Sequence, residues 1–211
     1  MAVSADDLRV AGFLMAAAYV AMGAGAFVPA WLARLEVEGP PTAQRPVHPV
    51  VEGLWAGVQV VLIAGLAAAF LVPQTLLDFP TSALRYSSPA LAFGGVAVFV
   101  LGALLGWWAA RNLGPMLTVA IETREGGELV TSGPYARIRH PIYTGIFLQV
   151  AGLCLALASP LVALALPVAV FCGAYRARLE EDLLGSDPRI GPAYRAYQGR
   201  SGRFLPPLGR A

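Results

Sequence analysis

PALAFGGVAVFVLGALLGWWAAR, residues Pro89–Arg111, decides the fold: no residue from Pro89 to Ala110 carries a charge. A helix of about 20 such residues crosses a bilayer core about 30 Å thick. Outward from this stretch the same silence recurs. No charge lies between Arg9 and Arg34, or between Glu52 and Asp78. A further gap runs from Pro141 to Tyr175, divided by Ser159-Pro160, and reads as two helices in a tight hairpin. Only 13% of residues are charged, against roughly 25% in soluble domains. The class is all-α: a polytopic membrane helical bundle of about five transmembrane helices, with a C-terminal helical hairpin and a cytoplasmic tail.

The spans are expected at about 10–31, 53–72, 89–110 and the hairpin 141–175. The first is read as a retained span, because Asp6 and Asp7 oppose a single Arg9 at its tip, where a secretory signal needs a basic tip and a shorter apolar run. The chain is expected to be one membrane domain, with N-terminal spans of unassigned role over 1–88. Loops rich in proline follow the first span, and Gly126-Gly127 is expected to form a turn inside the charged run Glu122–Glu128. The hairpin is short for two crossings. Its apolar pattern continues through Leu179, Leu183 and Leu184, so its last helix is expected to project from the membrane with Arg176, Arg178, Glu180 and Glu181.

All fifteen basic residues are arginines, and a net charge of +2 gives no reason to expect nucleic acid. Thirteen of them fall in the loops after the first and third spans and in the tail. By the positive-inside rule that side is cytoplasmic, with the N-terminus outside. Cys154 and Cys172 sit at different depths of the hairpin, so they read as packing residues, without a disulfide or a metal site.

Polar groups at the mouth of an apolar stretch mark a candidate site. The segment Gly133–Gly145 packs two arginines, a histidine and two tyrosines there. In order along the chain come Leu129-Val130, Gly133-Pro134-Tyr135, Arg139-His140-Pro141-Ile142-Tyr143, Glu180-Glu181, Tyr194 and Tyr197, and Arg203-Phe204-Leu205-Pro206. This set resembles the isoprenylcysteine carboxyl methyltransferase family and its phospholipid methyltransferase relatives over about 107–206. The resemblance implies a methyltransferase-like core using S-adenosyl-L-methionine. It implies cofactor binding by Glu128, Leu129, Val130, Tyr135, His140, Pro141, Ile142, Tyr143 and the pair Glu180 and Glu181, with Glu180 matched to the contacting position. Arg176 matches a substrate-side position, and Arg176 and Arg139 are the candidate catalytic residues. The spacing from Glu181 to Gly191 is longer than the family's, as if Gly185–Pro188 inserts a turn, which leaves the register of Tyr194 and Tyr197 open.

The residue types suit that chemistry. A carboxylate suits the cofactor's ammonium or ribose hydroxyls, aromatic rings suit adenine or the sulfonium, and His140 and Arg139 suit its carboxylate. A carboxylate acceptor needs no base, whereas an amine or thiol would call on His140 or Glu181. Membrane lipids and a hydrophobic or lipidated substrate are the expected partners; no metal is. The acceptor is an isoprenylcysteine-type carboxylate first, a phospholipid amine or small thiol second. Nicotinamide-dependent sterol-type membrane reductases are similar in their C-terminal halves, but are longer and favour Arg/Asp-rich motifs where this chain has Glu180-Glu181. A binding protein with a decayed site is the non-enzymatic alternative. Arg137, Arg178, Trp107, Trp108 and His48 read as surface, interface or loop residues.

Overall fold

The computed structural model describes residues 2–36, 41–78, 88–118, 120–123 and 128–207. Arg85 and the Gly126-Gly127 turn lie outside the described residues. The first membrane helix is longer than its charge-free core. It begins as α1 (Ala5–Met22), passes through a π-helical turn at Gly23–Phe27, and continues as α2 (Val28–Leu35). Ser4 and Asp7 close its start with a reciprocal capping box. α3 (Pro49–Leu71) starts from His48, whose Nδ1 accepts from the Val50 amide at 3.3 Å. α4 (Pro73–Asp78) is short. α5 (Pro89–Leu113) has Ser88 as its N-cap and stops at Gly114, where φ is +51°. The hairpin is α6 (Pro141–Leu157) and α7 (Pro160–Ser186), joined through Ala158 and Ser159. α8 (Gly191–Arg200) closes the fold.

Among the described residues, four helices have the length and composition to cross a membrane: 5–35, 49–71, 89–116 and 162–186. α6 is apolar too, at 17 residues. The shortness expected of the hairpin is therefore confined to its first arm. Large side chains such as Val20, Val60, Leu101 and Leu164 face outward, which suits a surface bathed by lipid tails.

Lipid tails are as apolar as leucine, so close packing rather than hydrophobic exclusion holds such helices together. The α5–α6 seam is made of glycines. A Cβ on Gly102 would lie 2.5 Å from the Gly145 carbonyl oxygen, and one on Gly152 would lie 2.5 Å from the Phe99 amide nitrogen. Phe99 and Leu153 fill the layers beside these contacts and are fully buried.

One element was not foreseen. β1 (Ala43–Arg45) and β2 (Ile121–Thr123) pair antiparallel across two loops. Glu122 receives Arg34 in an ion pair and Gln44 Nε2 at 3.2 Å. This ribbon ties the N-terminal helices to the segment preceding Glu128.

Candidate functional site

Residues 137–140 and 201–204 run side by side in parallel. The Arg139 amide donates to Gly202 O at 2.8 Å, His140 N to Arg203 O at 3.0 Å, and Gly202 N to Arg137 O at 3.0 Å. Thr144 Oγ1 adds a bond to Phe204 O at 2.8 Å, and the Tyr197 hydroxyl donates to Tyr135 O at 2.5 Å. The longer spacing before α8 is absorbed at Asp187, whose Oδ1 accepts from the Arg189 amide at 2.8 Å. Tyr194 and Tyr197 are thereby seated and buried. Gly133 has φ +57° and presses its open face on Asn112, so only glycine fits there.

Behind this strap Glu181 is buried and gripped by three cationic side chains. Arg139 Nε lies 2.9 Å away, His140 Nε2 3.2 Å, and Arg203 Nε 3.1 Å. Arg139 Nη1 donates to Gln198 O and Ser201 O. Glu180, one residue earlier, points the other way. It accepts from the Tyr143 hydroxyl and stands 3.2 Å from His140 Nδ1, yet its side chain is 28% exposed. The adjacent glutamates thus divide two roles: Glu181 locks the tail, and Glu180 presents a carboxylate to the cavity.

Burial alone would lower the basicity of His140, but hydrogen bonds and attraction from Glu180 and Glu181 outweigh it and hold the ring protonated above its ordinary range. Stability from this group is fully present below the unfolded value near 6.5 and is lost as pH rises through the raised folded value. The melting temperature of the purified protein is therefore expected to fall by a few degrees across that range. In His140→Gln the fall should flatten; a slope equal to wild type would contradict the assignment.

Beside Glu180, Arg176 is 3% exposed. Its Nε donates to the Tyr143 hydroxyl at 3.3 Å and its Nη1 to Glu52 Oε1 at 2.6 Å. Tyr143 stacks on His140 at 5.6 Å and takes the edge of Trp55 at 5.6 Å. These side chains open on a cavity of about 1190 Å³, which exceeds the span typical of one ligand, roughly 300–1,000 Å³. Glu128, Leu129, Val130, Tyr135, Arg139, His140, Ile142, Tyr143, Arg176 and Glu180 all line it. Pro141 and Glu181 are not among its lining residues. Pro141 is fully buried as the first residue of α6.

Sequence reasoning missed the contribution of α3. Glu52, Trp55 and Gln59 recur at helical spacing on one face, and that periodicity was the available signal. It also missed the π-helical turn. There Gly25 O accepts from Arg111 Nη1 at 3.3 Å while the Arg111 guanidinium stacks over Trp107 at 5.3 Å. Gly23 and Phe27 of that turn line the cavity. Both cysteines are free, and no metal-binding cluster occurs among the described residues.

A membrane helical bundle whose polar end frames a large cavity between arginine, glutamate and tyrosine is the class defined here. Residues 95–186, rather less than half of the chain, match the model of the isoprenylcysteine carboxyl methyltransferase (ICMT) family. The matched segment covers α5 from Gly95 onward, the Gly133–Gly145 run and both arms of the hairpin. No curated protein matches the chain.

Proposed function

We propose that this chain is an S-adenosyl-L-methionine-dependent methyltransferase acting on a lipid-like carboxylate that enters from the bilayer, with an isoprenylcysteine-type acid the first candidate. The observation that carries the acceptor class is Arg176. It is a buried guanidinium on the cavity wall, and a carboxylate, Glu52, already rests on it at 2.6 Å. An acceptor carboxylate would take the place of Glu52, whose side chain is half exposed.

The donor set fits the cofactor. Glu180 offers a partly exposed carboxylate for the ammonium or ribose hydroxyls, and Tyr143 and Tyr135 offer rings for adenine or the sulfonium. Residues Glu128–Val130 and Ile142 would complete its walls, with His140 held by Glu180. When bound, the cofactor supplies an electrophilic methyl group. The chain's own residues align and desolvate the reactants, and positioning of this kind carries most of the rate in a displacement.

A carboxylate acceptor arrives ionised. An amine or thiol would need a base, and the two residues considered for it are committed: both His140 nitrogens face carboxylates, and Glu181 holds three cations. The distribution of arginines supports a cytoplasmic cavity mouth and C-terminus. The methyltransferase core over 107–206 would be completed by Glu52 and Trp55 of α3, making one membrane domain. Arg176→Ala is expected to leave binding of labelled S-adenosylmethionine within about threefold and to cut turnover by about 100-fold or more. Loss of both together would refute the substrate-side role.

A further inference from the structure

The inner end of the cavity is not uniformly apolar. Gln59 on α3 and Gln149 on α6 both line it, and the side-chain oxygen of each is buried without a hydrogen-bond partner. Gln149 is 1% exposed, and its Nε2 meets Met22 Sδ at 3.5 Å. Gly106 keeps this corner open, since a Cβ there would lie 2.9 Å from Met22 Sδ.

The two carboxamides share a depth. α3 and α6 run in the same direction, because Trp55 meets Tyr143 near their starts and Gly65 meets Leu153 further along. Gln59 follows Trp55 by one turn of helix and Gln149 follows Tyr143 by nearly two. At about 1.5 Å per residue both lie roughly 6–9 Å inward of the Trp55–Tyr143 pair. A carboxamide oxygen left unpaired at membrane depth is costly, and glutamines in membrane helices ordinarily spend their polar atoms on a neighbouring helix. Leucine or methionine would fill these positions without that cost.

We infer that Gln59 and Gln149 form a second polar subsite, which receives a hydroxyl or N–H donor carried on the otherwise apolar body of the acceptor. The inference rests on the reading of a lipid-like acceptor in this cavity and narrows it. A plain hydrocarbon tail would leave both oxygens unpaired, so the acceptor is an amphiphile with a second polar group that lies roughly 6–9 Å further inward than the Trp55–Tyr143 pair. A site built to pair with a donor rejects the analogue that lacks it more strongly than an apolar pocket rejects a missing methylene.

The full chain in nanodiscs is titrated with dodecanoic acid and with a mid-chain hydroxydodecanoic acid, read by quenching of tryptophan, since Trp31 and Trp55 line the cavity. Wild type should bind the hydroxy acid about tenfold tighter. Gln149→Leu should reduce that advantage to about twofold or less while binding dodecanoic acid at least as well, and Gln59→Leu should reduce it in part. Equal binding of the two acids by wild type, binding of neither, or an advantage that survives both substitutions would overturn the subsite. Binding of labelled S-adenosylmethionine by the same samples reports the methyltransferase reading separately. Its absence from wild type with the hydroxyl advantage intact would remove that reading and leave the subsite standing.

Discussion

Glu180→Gln should weaken binding of labelled S-adenosylmethionine by about 100-fold, the scale of a desolvated charge that loses its counter-charge. The substitution keeps the side chain's shape and its ability to accept from the Tyr143 hydroxyl. It removes the negative charge that stands beside Tyr143 and His140 on the cavity wall. Glu181→Gln is the informative contrast. Glu181 is surrounded by Arg139, His140 and Arg203 and lies outside the cavity lining. Breaking a buried ion cluster costs about 3–5 kcal/mol, so that variant should lose thermal stability first. Equilibrium binding and melting measured on both variants distinguish the two glutamates. Unchanged cofactor affinity in Glu180→Gln would defeat its assignment.

Gly152→Leu should prevent α5 and α6 from packing at all. A Cβ at this position would lie 2.5 Å from Phe99 N and 2.6 Å from Gly95 O, both backbone atoms that have nowhere to move. Ordinary overpacking costs about 1–3 kcal/mol; a clash with backbone on the seam that supports Tyr143 and His140 exceeds that. The yield of monodisperse protein by size-exclusion chromatography should collapse. Gly94→Leu, one residue from Gly95 but with nothing within 4 Å of its added Cβ, should behave as wild type. Equal yields of the two variants would contradict a glycine-built seam.

The helical class and the ordered polar motifs were legible because both are written in contiguous residues. Long uncharged runs need no partner to be recognised, and Gly133–Gly145 carries its signature within one loop and one helix start. Other features depend on the far side of the fold. Glu180 and Glu181 are neighbours in sequence and look interchangeable; only the tail strap, which delivers Arg203 to one of them, separates their roles. Glu52 ends a charge-free gap and reads as a loop-side charge until α7 brings Arg176 against it. β1 and β2 are too short to show an alternating pattern, and their pairing joins segments far apart in the chain. The seam glycines were visible only as a compositional bias toward small residues, because a close approach is a property of two helices at once.

The central claim is that this chain moves a methyl group onto a membrane-soluble acid. Membranes containing the wild-type chain, incubated with methyl-labelled S-adenosylmethionine, should accumulate label in the lipid fraction. The label should be released by mild alkali as a methyl ester is, and Glu180→Gln membranes should accumulate none. A lipid fraction without label, together with saturable binding of a nicotinamide cofactor, would contradict the account.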